Sequence, residues 1–176
     1  MYRHDRSSEN GDDIRGGGVL IAVRKKWSSE LIILPPDPNC ESLNTEIIFV
    51  KIKLRSCRLF VANLYIPPSA STIVYEKYSA ALKNFFKLTK PCSNDIIIIA
   101  GDFNMPRIHW IVDDQNPEIL NATRISKESD AKIIDLLLSQ GLNQFNHVKN
   151  SLNRILDLVW CHGVDSARIV SGIAMF

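Results

Sequence analysis

The chain has 176 residues, 45% of them hydrophobic and 23% charged, with a formal net charge of +2. That balance describes one ordinary globular domain with enough apolar material for a core. It excludes a low-complexity chain, and a charge so close to neutral selects neither nucleic acid nor a membrane surface as partner. Local basic runs (Arg24-Lys25-Lys26; Lys51, Lys53, Arg55, Arg58) permit a DNA substrate without arguing for one.

Residues 1–17 are charged, glycine-rich and aperiodic, and predict a loop or disordered lead-in to a domain over 18–176. They lack the apolar core of a signal peptide, and no stretch has the length of a membrane span. Gly16-Gly17-Gly18 lacks the Lys-Ser/Thr of a phosphate-cradling loop and opens a strand rather than a helix. Strands are expected at Val19–Val23 and Glu30–Leu34, the second stopped by Pro35-Pro36. Residues 46–55 alternate, with Ile48, Val50, Ile52 and Leu54 on one face and Lys51, Lys53 and Arg55 on a wet one. Cys57–Tyr65 is apolar on both faces, pairs antiparallel with 46–55, and ends at Pro67-Pro68.

The period then changes. Val74, Tyr78, Ala81, Leu82, Phe85 and Leu88 form a helical stripe over 72–90, and Pro91 bars continuation. Ile96–Ala100 is a β-branched run suited to a short buried strand. It delivers Asp102 and Asn104 into a turn closed by Pro106, where a rigid strand would hold a carboxylate for chemistry. Both residues are also ordinary turn formers. Residues 111–125 read as a polar loop. A second helix runs from Ser126 as N-cap to Gly141 as C-cap, and short strands follow at 142–148, 154–160 and 167–173. Runs of strands with helices between the later ones predict two mainly antiparallel sheets packed together under helices.

The four cysteines, Cys40, Cys57, Cys92 and Cys161, are scattered without a C-x-x-C pair, which suits reduced thiols in an intracellular compartment. Cys161 and His162 are adjacent but lack a second ligand pair at zinc spacing.

Four stretches in order, GGGVLIAV, LYIPP, GDFNMPRIHW and LDLVW, resemble the endonuclease/exonuclease/phosphatase superfamily, and within it the endonuclease domains of jockey- and R1-type non-LTR retrotransposons. The resemblance covers roughly residues 14–165. It implies an α+β fold, a four-layer α/β/β/α sandwich of two mainly antiparallel sheets, and metal-dependent phosphodiester hydrolysis that nicks DNA. By resemblance, Asp102 orients or deprotonates the attacking water and Asn104 donates to a phosphate oxygen. Tyr65 contacts the phosphate through its hydroxyl, and Asp157 orients a catalytic histidine. The acid lies between Leu156 and Leu158, where an unpartnered carboxylate is costly. The implied cofactor is Mg²⁺, the implied partners are DNA and a reverse transcriptase domain in the full-length protein, and the implied place of action is the nucleus. No membrane partner is implied, and the sequence sets no oligomeric state.

The family's metal-binding Glu and its closing Ser-Asp-His motif have no counterpart here, so a partial domain, truncated at both ends, is expected. Glu9 and Glu46 fall outside the pattern of the missing Glu. His109, His147 and His162 read as loop or surface residues. Two other readings stay open: another phosphoesterase of the same fold, such as an abasic-site endonuclease or a phosphatase, and a non-catalytic remnant. On any reading of the fold, Tyr65, Asp102, Asn104 and Asp157 should converge at one end of the sandwich.

Overall fold

The computed structural model describes residues 1–6, 17–35, 45–68 and 70–163. The elements run β1 (Tyr2–His4), β2 (Val19–Ile21), β3 (Ser29–Leu31), β4 (Glu46–Lys53), β5 (Arg58–Tyr65), α1 (Thr72–Thr89), β6 (Ile96–Asp102), β7 (His109–Val112), β8 (Leu120–Arg124), α2 (Glu128–Ser139), β9 (Asn143–Gln144) and β10 (Asp157–His162). The architecture is α+β with two sheets. One has eight strands in the order β3-β4-β5-β6-β10-β9-β8-β7, and the other is the antiparallel pair β1-β2. Within the larger sheet only β5 and β6 run parallel, joined by α1 as the crossover that parallel neighbours require.

Alternate side chains of the central strands serve different layers. Phe49, Phe60, Ala62, Leu64, Ile97, Ile99, Leu158 and Trp160 pack with both helices in the main core. Its centre is aromatic, with Phe85 of α1 stacked on Phe49 and edge-on to Phe60. On the opposite face, Ile48, Val50 and Ile52 pack against Val19 and Ile21 of the β1-β2 ribbon. This is the sheet-on-sheet contact, and both described helices lie on the other side.

Helix α1 starts where Ser71 accepts from the Val74 amide at 3.4 Å and ends at Lys90 in the left-handed region, φ 40°. The strand entering the site is pinned at its origin. The buried Asp95 carboxylate is held by the Arg58 guanidinium and accepts from the Cys92 and Arg58 amides at 2.8 and 3.1 Å. That pairing holds its carboxyl well below the ordinary aspartate range.

Several expectations change. Residues 2–4, read as lead-in, form β1 because Tyr2 and its neighbours complete a ribbon over β4. The wet face of β4 is confined to its end: Ile47 and Phe49 are buried under α1, and only Lys51 and Lys53 reach solvent. The stretch 111–125 is a hairpin, β7-β8, turned by Asp113, whose carboxylate accepts from the Gln115 and Asn116 amides and from the Asn121 side chain. Helix α2 begins one residue later than expected, with Lys127 at the N-cap and no side-chain cap. The strand expected at 154–160 runs Asp157–His162. The strand expected at 167–173 lies outside the described residues.

Candidate active site

The register of the large sheet brings three of the four nominated residues onto one line. Tyr65 of β5 is the Cα partner of Asp102 of β6, and Asp102 is the partner of Asp157 of β10. Glu46 of β4 is the partner of Tyr65 and extends the row to four strands. Registered neighbours project from the same face. This is the face of the ribbon, away from the helices. Tyr65 and Asp102 end their strands while Glu46 and Asp157 begin theirs, so the row stands at one end of the sheet.

What fixes Asp102 is the stretch on either side of it. Gly101, with φ +148°, passes so close to Leu64 that a Cβ there would lie 1.8 Å from the Leu64 carbonyl oxygen. Beyond it, the Asp102 carbonyl accepts from Ile66 N at 2.8 Å, and Phe103 N donates to Leu156 O at 3.0 Å. Phe103 and Met105 are then fully buried, so the loop carrying the acid is anchored in the core. Asn104 adopts the left-handed conformation, φ 47°, which Asn tolerates better than most residues. Its amide N donates to Asp102 Oδ1 at 3.0 Å, and its Nδ2 donates to Asp102 Oδ2 at 2.9 Å and to Ile66 O at 2.8 Å. Both side-chain hydrogens of Asn104 are therefore committed, and both Asp102 oxygens are held.

Electrostatics in the row are dominated by burial and like charge. Burial pushes the Asp102 carboxyl above its ordinary range and the neighbouring Asp157 adds to this, against the pull of the Asn104 hydrogen bonds. Desolvation also raises Asp157. Its carboxylate has no hydrogen-bond partner among the described residues, and no histidine is hydrogen-bonded to it. The imidazoles of His4, His147 and His162 bond the carbonyls of Ile47, Glu118 and Gly141, and His109 shares a bond with Thr123 Oγ1. The expectation of a dedicated partner rested on Asp157 lying inside an apolar strand. It is instead the first residue of β10 and only partly removed from solvent, not enclosed by the strand's apolar neighbours.

Glu46, set aside in the sequence as falling outside the pattern of the missing Glu, stands in the row, and Arg6, which no motif singles out, is paired with it. The Glu46 carboxylate accepts from Arg6 Nε and Nη2 at 2.6 and 3.3 Å and from the Gly18 amide at 2.9 Å, and the Arg6 guanidinium lies 5.0 Å from the Tyr65 ring centroid. The Tyr78 hydroxyl accepts from Glu46 N and donates to the Tyr65 carbonyl, tying α1 to the row. Only the G-G-G and D-R local patterns lie near these residues in sequence, and neither signals a contact across 40 positions.

Among the described residues no three His, Cys, Asp or Glu side chains come together as a metal site. The donors available are Asp102 and Asp157, opposed across β6 and β10, while the Glu46 carboxylate is already engaged by Arg6 and the Gly18 amide. A hard cation such as Mg²⁺ takes one or two carboxylates and completes its shell with water and phosphate, so this pair suits it.

The fold and the acidic row describe an α+β sandwich that presents paired carboxylates and a tyrosine at one end of its sheets. Residues 59–171, more than half of the chain, match the endonuclease-reverse transcriptase family, and the chain belongs to that family, within the endonuclease/exonuclease/phosphatase superfamily. Among solved structures it is similar to the endonuclease domain of TRAS1, a telomere-specific non-LTR retrotransposon. That match has 15% identity and a TM-score of 0.48 over 79% of this chain and 57% of the other. It is also similar to beta toxin from Staphylococcus aureus, at 14% identity and TM-score 0.39 over 69% of this chain and 45% of that one. No curated protein matches the chain.

Proposed function

We propose that this chain carries the phosphodiester-hydrolysing site of a DNA-nicking endonuclease of the non-LTR retrotransposon kind, acting in the nucleus as part of a reverse transcriptase-linked protein. The observation supporting it is the in-register row of Tyr65, Asp102 and Asp157, with Asn104 locked onto Asp102. Hydrolysis of a phosphodiester needs an oriented water, proton transfer and stabilisation of charge on the phosphate oxygens. Asp102 is the group to orient the water, because both its oxygens are fixed and its raised carboxyl suits proton exchange. The Tyr65 hydroxyl is the phosphate contact. Asn104 acts first as the clamp on Asp102, and donates to phosphate only by releasing Ile66 O or Asp102 Oδ2. Asp102 and Asp157 would hold Mg²⁺, which supplies charge neutralisation at the phosphate.

A second reading, a site that binds without cleaving, is favoured by one observation: all four histidines are bonded away from Asp157. A missing general acid–base group costs roughly 10²–10⁴ in rate. Nicking of supercoiled plasmid in Mg²⁺ by the bare chain is therefore expected near the detection floor. It should rise when the chain is joined to flanking segments of a full-length relative bearing the glutamate and histidine, and vanish with Asp102→Ala. A folded chimera that never nicks supports the second reading. One that nicks equally well with Asp102→Ala overturns the assignment of the row.

A further inference from the structure

The end of the large sheet remote from the acidic row has a different chemistry. β4 begins at Glu46 in the row and ends at Lys53, a strand of 8 residues, which places the two ends roughly 23 Å apart at the ordinary rise of a strand. There Ser29 of β3 pairs with Ile52, and Lys53 N donates to Ser28 O at 2.9 Å. The turn before β3, Arg24–Trp27, closed by Trp27 N to Arg24 O at 3.0 Å, is thereby set beside the turn that follows β4. Tyr2 Oη donates to Ser29 Oγ at 3.0 Å and fixes the ribbon to the same corner.

This corner is basic and aromatic. Arg24, Lys25, Lys26, Lys53 and Arg55 are all exposed, and none forms an ion pair among the described residues. The two described carboxylates nearby are already neutralised, Glu30 by Lys51 and Asp95 by Arg58. In the middle of the charges Trp27 is 44% exposed, with Lys26 Nζ 5.6 Å from its ring centroid. Burial would remove a large apolar ring from water. This one stands open, directly after the Arg24-Lys25-Lys26 run in sequence and one residue before Ser28, to which Lys53 is hydrogen-bonded.

An indole face framed by unpaired cations matches the needs of an unstacked base on a phosphate backbone: a ring to stack on and positive charge along the strand. A protein partner that used the same corner would need an acidic, aromatic-accepting surface, whereas a single strand meets both demands with every nucleotide. Duplex DNA keeps its bases stacked on one another, so it would use the cations and leave Trp27 idle.

We infer that the Arg24–Trp27 turn, with Lys53 and Arg55, is a second nucleic-acid contact that takes single-stranded nucleic acid, apart from the acidic row. Binding here needs neither a metal nor a competent row, so it stands or falls separately from the nuclease reading.

The test measures binding of a fluorescein-labelled mixed-sequence single-stranded oligonucleotide to the 176-residue chain in EDTA, by anisotropy across a salt series. Lys25→Glu combined with Lys26→Glu should weaken binding at least about tenfold and flatten the salt slope by roughly 1.4, at about 0.7 per phosphate contact on a single strand. The same charge change on α1, Lys83→Glu with Lys87→Glu, should do much less. Trp27→Ala should weaken binding roughly fivefold or more. Unlabelled oligonucleotide should quench the tryptophan emission of the wild-type chain but not of Trp27→Phe. The other two tryptophans, Trp110 and Trp160, have their indole nitrogens buried. Circular dichroism of each variant checks that it folds. Equal losses from the two charge-reversal pairs would overturn the inference. So would binding and quenching indifferent to Trp27, or a preference for duplex.

Discussion

Asp102 and Asp157 face one another across β6 and β10 with no cation between them among the described residues, and both carboxyls are raised. A carboxyl whose folded pKa lies above its unfolded value binds more protons in the folded state. Its contribution is therefore most favourable below the ordinary aspartate range and is lost as pH rises through the raised value. At neutral pH the pair costs stability. Asp157→Asn removes one charge from the pair and breaks no hydrogen bond to the described residues, among which this carboxylate has no partner. Discounting for the exposure of Asp157, the gain should be about 0.2–1 kcal/mol at pH 7 and low salt. It should shrink in high salt and disappear near pH 3, as thermal melts would show. A variant less stable than the parent at pH 7 would mean that Asp157 has a partner after all. At this scale the placement of Tyr65, Asp102 and Asp157 in one row, with Asn104 beside Asp102, was legible, since each sits in a short motif beside a strand end. The Arg6–Glu46 ion pair and the contact of Arg6 with Tyr65 were not, because they join segments that no local pattern relates.

The parallel pairing of β5 and β6 is the element that turns separate motifs into a site, and Gly101 is what permits it. Leu64 and Gly101 are partners in that pairing, and the Leu64 backbone occupies the space where any Cβ at 101 would go. Ala at 101 must either adopt a backbone conformation that side chains disfavour or push β6 off β5 and carry Asp102 away from Tyr65. Backbone strain alone costs about 1–3 kcal/mol, and the collision adds to it. Gly101→Ala should therefore lose more than about 3 kcal/mol in chemical denaturation, or fail to accumulate as folded protein. A loss within 1 kcal/mol, about the centre of the range for point substitutions, would show that the strands have room to separate. The helical stripe of α1, the alternation of β4 and the β-branched run of β6 were legible to within a few residues. The β7-β8 hairpin was not: its strands are short and mostly exposed, at the edge of the sheet, so no core-facing alternation marks them.

On the scale of the whole molecule, the two faces of the large sheet are unequally covered. The switch from strand to helix period made an α+β sandwich legible, but not that both described helices would pack on one face. That depends on side chains such as Phe49, Phe60, Ile97 and Ile99, whose strands offer apolar residues to both sides. Opposite the helices, the β1-β2 ribbon covers β4 and β5, while Ile98 and Ala100 of β6 remain half-exposed beside Val159 and Phe145. Among the described residues the sheet also ends in β7, where Ile111 and Val112 are 45% and 49% exposed on a strand that no described strand pairs on its outer side and that has no lysine or proline to blunt it. An open apolar edge is a template for pairing with a second chain, and a half-covered face beside it adds area to be buried. The 176-residue chain should self-associate as its concentration rises, seen as increasing average mass in sedimentation velocity. Ile111→Lys places a charge on that edge, where it would be desolvated by any added strand, and should return the chain toward monomer without lowering its melting temperature by more than a few degrees. Association unchanged by Ile111→Lys would move the contact from the edge to the face of β6 and β10. A parent chain that stays monomeric at high micromolar concentration would show that both surfaces tolerate water.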